Sequence, residues 1–145
     1  MFRSTKTYQD LGPVAYRQWR AESHCNLIHG YSLSFKFTFE AADLDARNWV
    51  VDFGGLRPLK QILEDSFDHT LIVAADDPQI DWYHEAQRRG IARVVVFDHL
   101  GCEAISDVVF EVTDQWLKDA GYGERVRVVE VEVFEHGANS AMRVA

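Results

Sequence analysis

The chain has 145 residues, of which 47% are hydrophobic, a length and composition that suit a single globular domain, 1–145. Its 23 Asp plus Glu against 15 Lys plus Arg give a net charge of −8, the wrong sign for a protein that coats nucleic-acid phosphates. Two cysteines, Cys25 and Cys102, are too few for a disulfide scaffold. The opening MFRSTKTYQDLG has no apolar leader segment, and no window approaches a membrane span, so the expectation is a cytoplasmic protein with no nucleic-acid or membrane partner.

Taken in order, Phe2 to Tyr8 reads as a short strand and Asp10-Leu11-Gly12-Pro13 as a turn. Val14 to Ala21 reads as a second strand. Tyr31 to Phe39 is the clearest strand, because Leu33, Phe35, Phe37 and Phe39 alternate with Ser32, Ser34, Lys36 and Thr38. Carrying that parity back puts His29 and Tyr31 on the apolar face. Ala42 to Asn48 is a polar loop, and Trp49 to Phe53 a short strand ending at Gly54-Gly55.

Leu56, Leu59, Leu63 and Phe67 keep helical spacing, with Pro58 tolerable in the first turn, so the spacing predicts a helix over 56–67. Asp76-Asp77-Pro78 opens a charged excursion with a short helix through Trp82, Tyr83 and Ala86, closed by Gly90. Ile91 to Phe97 is β-like. Ile105, Val108, Val109, Val112 and Trp116 predict a helix over 103–118, stopped by Gly121. Arg125 to Glu135 is the last predicted strand. Val129, Val131, Val133 and Glu135 share a parity, which puts a carboxylate at the end of a valine face. The fold class is α+β: a four-stranded antiparallel sheet with two helices on one face, whose open edges favour closure into an oligomeric barrel.

The densest chemical cluster is Ser23-His24-Cys25-Asn26-Leu27-Ile28-His29-Gly30-Tyr31. Imidazole and thiolate are zinc ligands, and a thiol beside such groups also serves as base or nucleophile. Equally, the segment reads as an ordinary strand connection. Asp68-His69 and Asp98-His99 each offer a carboxylate that fixes a histidine tautomer. Glu135 suits either a strand emerging into solvent or a bidentate anchor for an N–H edge. Cys102 reads as a packing residue, His84 and His99 as solvated, and His136 as facing the opposite side of its strand from Glu135.

Five of these motifs stand in an order that resembles the 6-pyruvoyltetrahydropterin synthase family, including its bacterial 6-carboxytetrahydropterin synthases: Cys25-x-x-x-His29-Gly30, Val51-Asp52-Phe53 before a helix, Phe67-Asp68-His69, Glu103 opening a second helix, and Val133-x-Glu135. The resemblance runs from Tyr16 onward. It implies a tunnelling fold whose subunits form β-barrel trimers, commonly stacked as hexamers, with sites at subunit interfaces. It implies a carbon–oxygen lyase acting on 7,8-dihydroneopterin triphosphate with loss of triphosphate, of the 6-carboxy-5,6,7,8-tetrahydropterin type or the 6-pyruvoyl type. Cys25 takes the place of the general base, Asp68-His69 of the proton relay, Glu135 of the pterin anchor and Glu103 of a pocket residue.

The resemblance also implies Zn2+ on three histidines, at positions that fall here on His24, His29 and Tyr31. Two departures accompany it. His-Gly-His is His29-Gly30-Tyr31, and the loop that separates the first zinc histidine from the cysteine is missing. Leu100-Gly101-Cys102-Glu103 stands where the family has Pro-Thr-x-Glu. The other readings are a pterin- or purine-binding homologue without zinc-dependent catalysis, and a barrel-forming structural oligomer.

Overall fold

The computed structural model describes residues 1–145. Two sheets and three helices share one core. The first sheet is antiparallel throughout, in the order β1 (Phe2–Tyr8), β4 (Ser34–Ala41), β7 (Val126–His136) and β8 (Asn139–Val144). Its inner face carries Phe35, Phe37, Phe39, Val131 and Val133, all fully buried. Its outer face is polar: Glu40 accepts from Arg3 Nε at 2.7 Å and from the Arg127 guanidinium, so the buried carboxylate is paired on both sides. Both arginines hold the Glu40 carboxyl below the ordinary range through those hydrogen bonds.

Helices α1 (Arg57–Phe67) and α3 (Cys102–Asp119) bring Leu59, Leu63 and Phe67 and Ile105, Val109 and Leu117 to the same core. Phe67 joins the layers, its ring 4.9 Å from Phe35 and 5.7 Å from Phe97. These elements lie where the helical and alternating patterns place them.

The second sheet is not in the predicted architecture. It runs β3 (His29–Tyr31), β2 (Val14–Tyr16), β5 (Thr70–Ala74) and β6 (Val94–Phe97). β3 is antiparallel to β2, whereas β2–β5 and β5–β6 are parallel. Parallel neighbours need a crossover, and α2 (Ile80–Arg88) supplies it. The charged excursion after Asp76 therefore supplies the helix and second strand of a strand–helix–strand unit that begins with β5 and widens this side sheet.

Four element boundaries differ from the sequence reading. The predicted strand over 31–39 is two strands in two sheets, divided at Ser32-Leu33, with Leu33 buried at the crossing. The predicted strand over 14–21 stops at Tyr16, because the backbone turns there, with the Ala21 N–H on the Gln18 carbonyl. Trp49 to Phe53 is not a strand: the Arg125 guanidinium donates to the carbonyls of Asp43, Trp49 and Val50, and the Asp45 carboxylate accepts the Arg47 and Trp49 N–H groups. β8 extends the sheet past Glu135 through a tight Gly137-Ala138 turn. β7 also bulges beside Thr38, so Val126 and Val128 precede the break and Val131 and Val133 follow it on the buried face. Val129 leaves that face, and a second irregularity, in the β7–β8 pairing, falls at the half-buried Glu135.

Candidate active site

Cys25 lies on a single 3₁₀ turn, His24–Asn26, between β2 and β3. Three hydrogen bonds hold that turn. Ser23 Oγ accepts from the Cys25 N–H at 3.3 Å, the Gln18 N–H donates to the Cys25 carbonyl at 2.9 Å, and Arg17 Nη1 donates to the Asn26 carbonyl at 3.3 Å. Arg17 also forms a two-pronged pair with Asp77, at 2.6 and 2.8 Å. Asp77 is 3% exposed and accepts the Gln79 N–H at the start of α2. The excursion thus carries the counter-charge that fixes the cysteine turn.

Gln18 extends the brace to the third layer: its Nε2 donates to the Leu100 carbonyl at 3.0 Å, next to the first turn of α3. Gly101 makes room for it. Its φ of +110° is left-handed, and a Cβ there would stand 2.4 Å from Gln18 Nε2. A Gly101→Ala variant loses about 1–3 kcal/mol in urea unfolding, whereas Gly123→Ala, at a glycine with open space around it, stays within about 0.5 kcal/mol.

Behind the turn, His29 and Tyr31 lie on one face of β3 as their spacing predicts. The rings of Tyr31 and Tyr16 stack at 4.1 Å and 9°. Tyr16 is fully buried and its hydroxyl has no hydrogen-bond partner. Burial, followed by the nearby Glu135 carboxylate, pushes the Tyr31 phenol up to about 12. Tyr16 is raised further, by burial and then by Tyr31, Cys102 and Glu135. Burial, then Glu135 and Glu103, pushes the Cys102 thiol up to about 11. The Glu135 carboxylate thus acts on Tyr31, Tyr16 and Cys102, the Cys25 thiol on Tyr31, and Glu103 on Cys102. Neither Tyr16 nor Cys102 stands out in the sequence as functional; the shared parity of Val14 and Tyr16 is the one signal that turns Tyr16 inward.

Asp68-His69 lies beside the start of β2. His69 Nδ1 is 2.5 Å from Asp68 Oδ1, and its N–H donates to the Pro13 carbonyl at 2.7 Å. Its φ is +55°, and its side chain is 78% exposed. Asp68 sits over Gly12, where a Cβ would come within 2.0 Å of its carboxylate. This pair adjoins the first residue of β2, since Val14 pairs with Thr70, whereas Gln18 holds Cys25 beyond the last. A surface cavity of about 440 Å³ is elsewhere again, lined by Phe2, Leu44, Trp49, Val51 and Phe53 among others.

The three positions implied for zinc do not present three imidazoles. His24 is exposed on its turn. His29 Nδ1 contacts the Leu27 carbonyl at 2.7 Å, and its Nε2 is 2.5 Å from Tyr31 Oη. No group of three or more His, Cys, Asp or Glu side chains is placed to hold a metal ion. The donor set does not fit the implied metal centre.

Comparison with known proteins gives one consistent result. The family model described as "6-pyruvoyl tetrahydropterin synthase" matches residues 13–144. A 6-carboxy-5,6,7,8-tetrahydropterin synthase of Aquifex aeolicus is 24% identical over 119 residues, covering 81% of this chain and 74% of that one. The enzyme of the same name from Rickettsia typhi is 33% identical over 60 residues, 41% of this chain and 44% of its own length. Among solved structures, an uncharacterized protein of Wolinella succinogenes superposes with a TM-score of 0.82 at 20% identity, covering 99% of this chain and 97% of that one. The 6-pyruvoyl tetrahydropterin synthase of Plasmodium vivax gives 0.62 at 14% identity over the full length of both.

Proposed function

This chain belongs to the 6-pyruvoyl tetrahydropterin synthase family, and we propose that it is a carbon–oxygen lyase acting on 7,8-dihydroneopterin triphosphate, which loses triphosphate and then, with water, two side-chain carbons as acetaldehyde to leave a 6-carboxy-5,6,7,8-tetrahydropterin. The observation that carries this reading is the family match over residues 13–144, with Cys25 on a turn that Arg17 and Gln18 brace. A carboxylate accepts two N–H groups side by side, so Glu135 orients the aminopyrimidine edge of a pterin. Cys25, as thiolate, then takes a proton from the side-chain carbon next to the one bearing the triphosphate. The electron pair left behind forms the carbon–carbon double bond as the carbon–oxygen bond breaks and triphosphate departs. Asp68 fixes the His69 tautomer, so that His69 moves a second proton.

Within one chain His69 adjoins the start of β2, and Cys25 is held by Gln18 beyond its end. We therefore place the working site between copies, with His69 of the partner subunit reaching Cys25. The support is that β1 and β8 are both unpaired sheet edges, which association would cover. Mixing separately inactive Cys25→Ala and His69→Ala proteins, dissociated and reassembled together, restores triphosphate release to about one quarter of wild type, the statistical share of intact sites in a random two-copy pairing. Absence of recovery, with sedimentation showing mixed oligomers, excludes a shared site. The reaction itself is tested by incubating wild-type protein with 7,8-dihydroneopterin triphosphate and measuring released triphosphate. Pterin binding without release favours the binding homologue instead, a reading supported by the loss of a third histidine at Tyr31.

A further inference from the structure

We infer that the position implied for zinc is closed in this chain by a hydrogen bond from Tyr31 to His29, and that the protein works there without a metal ion. The proposal rests on family membership alone and holds whichever reaction the site performs.

A neutral imidazole has one N–H and one lone pair. His29 Nδ1 faces the Leu27 carbonyl at 2.7 Å, which only accepts, so Nδ1 carries the proton. Nε2 is then the lone pair, and Tyr31, 2.5 Å away, donates its O–H to it. That lone pair is the one an ion needs. Two ligand atoms on a tetrahedral zinc at 2.0–2.1 Å are about 3.3 Å apart. An ion between Tyr31 and His29 therefore requires them to separate by roughly 0.8 Å and the phenol to lose its proton.

Each ring has partners that parting would disturb. Tyr31 is stacked on the fully buried Tyr16, and His29 is tied to Leu27 and paired through β3 to Tyr16. No further His, Cys, Asp or Glu completes a three-residue donor group. In place of a Lewis acid the site holds a neutral phenol oriented by an imidazole, with the unpartnered Tyr16 hydroxyl behind it. Such a phenol can hydrogen-bond a ligand hydroxyl, not polarise it as a dication does.

The test measures metal rather than activity, so it is independent of the lyase reading. Protein purified without chelator, incubated with excess Zn2+ and desalted, is analysed for zinc by mass spectrometry. Wild type retains below about 0.1 zinc per chain, and Tyr31→His, which supplies the third imidazole, retains close to one. Wild type near one zinc per chain overturns the inference, as does a folded Tyr31→His protein that stays empty. If Tyr31→His does not fold, long-range ¹H–¹⁵N spectra of wild type decide. Nε2 of His29 stays unprotonated and unmoved on adding Zn2+; a zinc-induced shift of that nitrogen overturns the inference.

Discussion

Cys25→Ala lowers kcat for triphosphate release by about 10³-fold, the middle of the range for losing a positioned base, with KM changed less than about threefold. The reason is a division of labour in the geometry. Cys25 sits on a turn whose carbonyls are held by Gln18 and Arg17, so removing the thiol deletes one reacting group and leaves its frame. Glu135, near the end of β7, acts on binding. Glu135→Gln raises KM by about 10–100-fold, the cost of turning one acceptor of a bidentate pair into a donor. Initial rates across substrate concentration separate the two. A Cys25→Ala enzyme with wild-type kcat removes Cys25 from the chemistry.

Asp77→Ala destabilises the fold by about 3 kcal/mol, because it strands the Arg17 guanidinium, only 20% exposed at its side chain, without its counter-charge. It also removes the acceptor for the first turn of α2. Urea unfolding shows this as a midpoint lower by about 1.5 M for a slope near 2 kcal/mol/M. The same pair sets a pH dependence. Its hydrogen bonds to Arg17, above all, lower the Asp77 carboxyl in the folded state. A depressed folded value means that the stabilisation is present above the unfolded value of about 3.9 and is lost as pH falls through the folded one. Asp77→Asn removes the titrating group, so its stability falls less steeply below about pH 4 than that of wild type. Equal slopes in the two proteins refute the assignment.

Much of this molecule is legible along the chain. Leu56, Leu59, Leu63 and Phe67 repeat at helical spacing because one side of α1 is buried, and Phe35, Phe37 and Phe39 alternate because β4 is buried on one face and wet on the other. The inward turn of Val131 and Val133 follows from the same alternation, but the irregularities at Val129 and at Glu135 do not show in it. The residue types of the Cys25 segment and of Asp68-His69 also stand out along the chain, although distant partners, Asp77 and Leu100 for the first and Pro13 for the second, hold them in place.

Other features depend on partners far away in the chain. Nothing near Ser32 says that β3 and β4 belong to different sheets; that depends on whether Val14 or Tyr8 lies alongside. Trp49-Val50 has the composition of a strand, yet its carbonyls are satisfied by Arg125, about 75 residues on. Tyr31 illustrates the division most plainly. Its place two residues after His29 marks it as a departure from a histidine pattern, but its effect comes from the Tyr16 ring packed on it and the imidazole lone pair it fills. Periodicity records which face of an element avoids water, a local property that survives in one dimension. Hydrogen bonds and ring contacts between distant segments form only when the whole chain has chosen its layers, and there the chemistry of this site is settled.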